Sequence, residues 1–184
     1  MSKKRIQLGH YFGLDLSMRP SVFGWAALLL ALLAGLGAWW FKFGVGMAVV
    51  FGLLATVLHY ASELWHQLGH AVAARKTGWP MSGLVFFTVL AVGRYPQDEP
   101  ELPAEIHIRR ALGGPVRSVT TAAALGALAV LLRPLGGMAY ALVLFAAWWN
   151  FIVFTLGSLL PLRFLDGGTL LYWWPRRRKQ DVNG

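Results

Sequence analysis

The residues most capable of chemistry lie together on one predicted helical face. His59, Glu63, His66, Gln67 and His70 fall within an arc of about 100° when this stretch is read as an α-helix. His66 and His70 are four residues apart, so both imidazoles can reach one metal ion. Ionisable groups inside a membrane helix are costly and usually functional. The pattern favours metal binding over a b-type haem, which would need a histidine in another predicted span.

A carboxylate that could complete such a site comes from a distant segment. Asp166 follows Pro161 in SLLPLRFLDGG and is the only acidic residue between Glu105 and Asp181. Two histidines and one carboxylate, with an open fourth position, are the ligand set of a catalytic zinc site. The chain has no cysteine, so thiolate ligands are excluded. An ordinary turn or helix cap is the alternative for Asp-Gly-Gly taken alone.

Membrane helices must position these residues. A mean hydropathy of +0.53 and 57% hydrophobic residues are too apolar for an ordinary soluble domain, and 184 residues fit one domain. A bilayer core needs about 20 apolar residues per helix. Uncharged stretches predict four spans, within residues 21–41, 43–62, 118–132 and 134–162. The second helix is expected to continue past residue 62, carrying the polar face, until Gly78 and Pro80 end it.

The basic residues predict how the chain is oriented. With the N-terminus in the cytoplasm, all but two of the 17 Lys and Arg residues, Lys42 and Arg133, fall on the cytoplasmic side. This asymmetry favours both termini inside, with the N-terminal segment 1–20 and the basic tail 173–184 in the cytoplasm of a protein of the cell membrane. The basic run 176–179 is expected to contact lipid headgroups, and no nucleic-acid partner is expected.

The long connection between the second and third spans carries a predicted β element. Residues 81–92, MSGLVFFTVLAV, are rich in β-branched and aromatic types and too short to span, so they predict a strand or hairpin. Residues 104–112 predict a short interfacial helix. The fold class is therefore a mainly α, polytopic membrane protein. It is one domain over 1–184 with about four transmembrane helices and a small membrane-associated β strand or hairpin.

Three separated segments together resemble the site-2 protease family of intramembrane zinc metalloproteases. HQLGHA at 66–71 is similar to the family's H-E-x-G-H-A, and Gly114-Pro115 in ALGGPVRS to its A-G-P-x-x-N. SLLPLRFLDGG at 158–168 is similar to N-x-x-P-x-x-x-L-D-G-G with identical spacing. The resemblance covers roughly residues 45–172. It implies that His66, His70 and Asp166 bind one zinc ion and that the 81–92 segment receives an extended substrate by strand addition.

Three positions depart from the family's pattern. Gln67 stands where the family has its catalytic glutamate, and Ser118 and Ser158 stand where it has asparagines. A neutral amide is not a useful general base, and such a base contributes about 10²- to 10⁴-fold to rate. The sequence therefore predicts a protein that binds or acts on membrane-embedded peptide segments with weak residual proteolysis at most. The three departures together favour a natural pseudoprotease over a glutamine introduced at one site.

Other roles for the polar face stay open at this point. Glu63, one turn before His66, could supply the missing base, although it lies about 5.4 Å away along the helix axis. Glu63 or His59 could instead orient a ligand imidazole. The alternative function is a non-proteolytic metal-binding or regulatory membrane protein. A metal-handling protein would use His59, Glu63, His66 and His70 together.

Overall fold

A computed structural model describes residues 5–180 as a helical bundle with a small sheet at one end. Residues 1–4 and 181–184 of the predicted N-terminal segment and basic tail lie outside the described residues. In chain order the elements are β1 (Ile6–Tyr11), β2 (Leu14–Met18), α1 (Ser21–Trp40), α2 (Val45–Lys76), β3 (Gly83–Phe86), β4 (Ala91–Arg94), α3 (Ala104–Leu132), a 3₁₀ turn (Arg133–Leu135), α4 (Gly137–Trp149), a π-helical continuation (Asn150–Gly157) and α5 (Asp166–Gln180).

Four helices are long and apolar enough to cross a membrane, which confirms the predicted number of spans. They are Ser21–Trp40, Val45–Lys76, Ala104–Leu135 and Gly137–Gly157. The first two pack closely, because a Cβ on Gly52 would lie only 2.7 Å from the backbone of Leu30 and Ala34. Between α1, α2 and α4 lies a core cluster of aliphatic and aromatic side chains: Leu29, Leu33, Phe51, Ala55, Ala141 and Phe145.

Helix α2 is one continuous element of 32 residues. At about 1.5 Å per residue it is about 48 Å long, whereas the hydrocarbon core of a bilayer is about 30 Å thick. The predicted continuation past residue 62 is therefore part of the same helix. The helix ends at Lys76, and the Thr77 N–H closes its last turn on the carbonyls of Ala73 and Ala74.

Helix α3 corrects the prediction of a separate short helix at 104–112. Residues Ala104–Leu132 form one helix with Pro115 inside it. Proline removes only one helical N–H, and the loss is tolerated where neighbouring elements pack tightly. Here they do, because a Cβ on Gly113 would lie 2.5 Å from the Gly69 carbonyl oxygen of α2. The two backbones meet at this glycine pair, which supports α3 across the proline.

The sheet is larger than predicted. Its strand order is β1-β2-β3-β4, with antiparallel pairing at both ends and parallel pairing between β2 and β3. The predicted hairpin in 81–92 is confirmed by β3 and β4. The N-terminal hairpin was missed, although Phe12 and Gly13, both with positive φ, form the two-residue turn typical of such hairpins.

The C-terminal segment is also more ordered than the predicted tail. Helix α5 runs Asp166–Gln180, so Asp166 opens a helix. The Trp173 ring of α5 stacks on the His107 ring of α3, with centroids 4.1 Å apart and planes 4° from parallel. This stacking fastens α5 to the end of the bundle that also carries His66 and His70.

Candidate metal centre

Three predicted ligands come together where α2, α3 and α5 meet. His66 Nε2 lies 3.2 Å from Asp166 Oδ2, His70 Nε2 lies 3.3 Å from Asp166 Oδ1, and the two Nε2 atoms are 3.0 Å apart. Donor atoms at the corners of a zinc tetrahedron are about 3.3 Å from one another when each bond is about 2.0 Å. The donor set and its spacing therefore fit one zinc ion with a fourth corner open.

The far side of each imidazole is held by α3. His66 Nδ1 lies 2.9 Å from Ser118 Oγ, and His70 Nδ1 lies 2.8 Å from the Arg110 carbonyl oxygen. A carbonyl only accepts, so His70 Nδ1 carries a proton, and Nε2 is the nitrogen that faces Asp166. Partners of this kind fix the ring orientation and tautomer of metal-binding histidines. Ser118 thus contacts the His66 imidazole directly.

Gly114 makes room for the three donor atoms. A Cβ at this position would lie 2.5 Å from His66 Nε2 and would also collide with His70 Nε2. Any larger residue would fill the space in which the donor atoms converge. The contact between Gly113 and Gly69, one residue earlier in α3, brings the helices this close. Gly113 therefore allows the helices to pack, and Gly114 leaves space for the donor atoms.

Asp166 is presented by the chain turn that precedes α5. The Gly167 N–H donates to the Ser158 carbonyl oxygen at 2.9 Å, and the Ser158 hydroxyl donates to the Thr155 carbonyl at 3.1 Å. Ser158 therefore ties the turn to the π-helical segment. Burial alone would raise the pKa of Asp166, but hydrogen bonds from His66 and His70 lower it to about 2. The carboxylate is anionic, as a metal ligand requires.

Gln67 is occupied by the β-hairpin. Its Nε2 donates to Glu63 Oε1 and to the Ala91 carbonyl oxygen, both at 3.0 Å, and the Ala91 N–H donates to Glu63 Oε1 at 2.7 Å. Glu63 is 2% exposed. Both amide protons of Gln67 are therefore used. Glu63 contacts the start of β4, whereas one prediction from the sequence was that Glu63 orients a ligand imidazole.

His59 also serves the hairpin. Its Nε2 donates to the Val89 carbonyl oxygen at 2.7 Å, and its Nδ1 accepts from Trp149 Nε1 at 2.8 Å. With both nitrogens engaged away from His66 and His70, His59 gives no support to a metal site built from α2 alone. The polar face of α2 thus divides into a metal row, His66 and His70, and a hairpin row, His59, Glu63 and Gln67.

Two cavities meet at the donor atoms. One of about 430 Å³ lies between the hairpin and the π-helical segment and is lined largely by apolar residues such as Leu90 and Phe154. The other, about 390 Å³, is lined by polar residues including Glu99 and Arg110. Gln67, His70 and Asp166 line both cavities, so the centre can be reached from two sides.

Arg110 closes one wall of the polar cavity, and sequence reasoning missed it. Its guanidinium donates to both carboxylate oxygens of Glu99, at 2.6 and 3.0 Å, and to the Trp79 carbonyl at 2.6 Å. It also lies 4.2 Å from the ring centroid of Tyr95, whose pKa burial raises to about 12. Because its own carbonyl holds His70, Arg110 links the loop before α3 to the centre. The feature of the sequence that could have indicated this role is the position of Arg110 near the N-terminus of α3.

Comparisons with known proteins find similarity both in sequence and in structure. Rip3 of Mycobacterium tuberculosis, named as a zinc metalloprotease, is 38% identical over 140 residues, which cover 70% of this chain and 34% of Rip3. The site-2 protease of Methanocaldococcus jannaschii superposes with a TM-score of 0.62, covering 91% of this chain and 70% of that one. The chain has the fold of the site-2 protease and is similar in sequence to a zinc metalloprotease. At 20% identity the site-2 protease structure supports the shared fold alone.

The sequence similarity to Rip3 covers only part of that protein. The chain spans about a third of the length of Rip3. No protein-family model matches the sequence. What the site-2 protease fold does in this chain must therefore be argued from its own residues.

Proposed function

We propose that this chain is a member of the site-2 protease family that holds one zinc ion with His66, His70 and Asp166 and binds membrane-embedded peptide segments, with little or no proteolysis. The observation that carries the proposal is the set of three donor atoms, 3.0–3.3 Å apart, on two buried histidines and a partly buried aspartate between two cavities. A zinc ion bound there would polarise a peptide carbonyl and lower the pKa of a water molecule.

The peptide would bind at the edge of the sheet. β4 is the last strand in the order β1-β2-β3-β4, so one of its edges has no strand partner among residues 5–180. Ala91 and Val92 line both cavities together with His70 and Asp166. Ala91 already bonds to Glu63 and Gln67, so an extended peptide would pair with β4 beyond Ala91, gain main-chain hydrogen bonds there and run past the donor atoms. A helical membrane segment would have to unwind to bind in this way.

Proteolysis would be weak because Gln67 cannot take a proton and Glu63 is held against β4 through Oε1. Gln67 has a neutral amide whose two protons are already donated. Glu63 accepts from Gln67 and from the Ala91 N–H, and this arrangement fixes its carboxylate against β4. Loss of a general base costs about 10²- to 10⁴-fold in rate. The chain's residues would bind and orient a peptide more effectively than they would cleave it.

Metal analysis of the purified full chain tests the proposal. We expect about one zinc per chain for the parent and a large loss for His70→Ala and for Asp166→Ala, because three protein ligands leave none to spare. His10→Ala is the matched control, since His10 is exposed and pairs with Asp15 in the N-terminal hairpin. Zinc retained by Asp166→Ala and lost in Glu63→Ala would contradict this ligand set.

We also propose that both termini face the cytoplasm of the cell membrane, from the asymmetric distribution of Lys and Arg. Reporter fusions at residue 184 and near Gly136 should then report opposite sides. Reporters on the same side would contradict the proposed orientation.

A further inference from the structure

We propose that an anionic phospholipid binds in a groove between α2 and α3, on the face opposite the metal centre. The groove has a volume of about 380 Å³. Its floor is the Gly69–Gly113 contact, where a Cβ on either residue would collide with the facing backbone. The groove therefore exists because two glycines allow the helices to cross closely while leaving no side chain to fill the outer side.

The rim of the groove is basic. Lys76, Arg109 and Arg117 line it. Glu105, an exposed carboxylate, pairs with Arg109 at 2.6 Å. Among residues 5–180 no acidic group lies within ion-pair distance of Lys76 or Arg117, so the rim carries excess positive charge. Arg75 differs from its neighbour Lys76, because Arg75 donates to the Phe12 carbonyl at 2.6 Å.

Arg117 lies at the depth where a lipid phosphate would lie. It is one turn, about 6 Å, further into α3 than the glycine crossing. Its guanidinium lies 3.9 Å from the Trp65 ring centroid, and the Trp65 indole donates to Thr121 Oγ1 at 2.9 Å. Tryptophans are enriched at the headgroup level of a bilayer. A cation on the lipid-facing side of a spanning helix is costly unless an anion accompanies it.

Beyond Arg117, toward the middle of the bilayer, the surface of α3 suits acyl chains. Leu128 and Leu131 lie on the same face of α3 as Arg117 and are 42% and 74% exposed. Basic residues followed by exposed apolar side chains match the two parts of a phospholipid, and basic pockets between membrane helices are known to take anionic headgroups. The bound lipid would press α2 and α3 together at Gly69 and Gly113, directly behind His66, His70 and Gly114.

Native mass spectrometry of the full chain in detergent tests this site. The probes are phosphatidylglycerol and phosphatidylcholine with the same acyl chains. Each basic residue near a headgroup contributes about a fivefold preference for anionic lipid. Because Glu105 already pairs with Arg109, the two unpaired cations Lys76 and Arg117 give about 25-fold. The triple variant Lys76→Gln, Arg109→Gln, Arg117→Gln should lose this preference.

A matched control removes three charges elsewhere. The variant Lys42→Gln, Arg133→Gln, Arg163→Gln should keep the preference for phosphatidylglycerol. The proposal is overturned if the groove variant keeps the preference, if the control loses it equally, or if glycerol phosphate binds as tightly as the lipid. Should the groove variant fail to fold, Arg117→Gln alone carries the test. A loss of about fivefold is then expected, and an unchanged preference overturns the site.

Discussion

The metal row and the hairpin row of α2 share one helical face but differ in what they contact. His66 and His70 turn toward α3 and α5, and their outer nitrogens contact Ser118 Oγ and the Arg110 carbonyl. His59, Glu63 and Gln67 turn toward backbone atoms of Val89 and Ala91. A hairpin inside a membrane must satisfy its backbone groups from protein, so polar residues are required there without any metal. Polar residues on one face of a membrane helix can therefore be candidate metal ligands or hydrogen-bond partners of a buried backbone.

The largest effect on zinc binding by the metal row is expected from a substitution at Gly114. Gly114→Ala should lower zinc affinity by about 10²-fold or more, because the new Cβ would occupy the space where His66 and His70 converge. Zinc titration of the purified protein measures the effect. Gly126→Ala on the same helix is the control, since a Cβ there meets nothing within 4 Å. Equal affinities in the two variants would contradict the assignment of the metal row.

A variant of the hairpin row should destabilise the hairpin and leave zinc binding unchanged. His59→Phe keeps an aromatic ring beside Trp149 but leaves the Val89 carbonyl without its donor. An unpaired buried acceptor costs about 1–3 kcal/mol. Hydrogen exchange of residues 87–91 should become about tenfold faster, with zinc content unchanged. Loss of zinc together with unchanged exchange would mean that the two rows are not separate.

The smallest effect is expected from Gln67→Glu, measured as cleavage of a membrane substrate. Glutamate supplies no donor for the Ala91 carbonyl or for Glu63, so it would face two acceptors and would not be directed at a substrate. We expect less than about a tenfold gain, with a larger gain only when Ser158→Asn or Ser118→Asn is added. Glu63→Gln combined with Gln67→Glu restores one donor and should be more stable than the single variant. A gain of about 10²-fold from Gln67→Glu alone would show that only the base was missing.

Local spacing predicted the spans, the continuous α2 and the grouping of its polar residues, because helical periodicity is set by neighbours in sequence. It did not separate the hairpin row from the metal row. Glu63 and His66 differ by only 60° around the helix, and what each contacts depends on elements more than 20 residues away. The continuity of α3 through Pro115 was missed for the same reason, since Gly69 on another helix supports it.

Helix α5 has a consequence for how the protein matures. His66 and Asp166 are 100 residues apart in sequence, and Asp166 follows the last of the four spanning helices. During synthesis from the N-terminus, the carboxylate emerges only after these four helices have been made. The three proposed zinc ligands can therefore come together only in a chain translated beyond residue 166. Metal loading would report that these four helices have been made and inserted, and a chain truncated before residue 166 would lack the proposed third ligand.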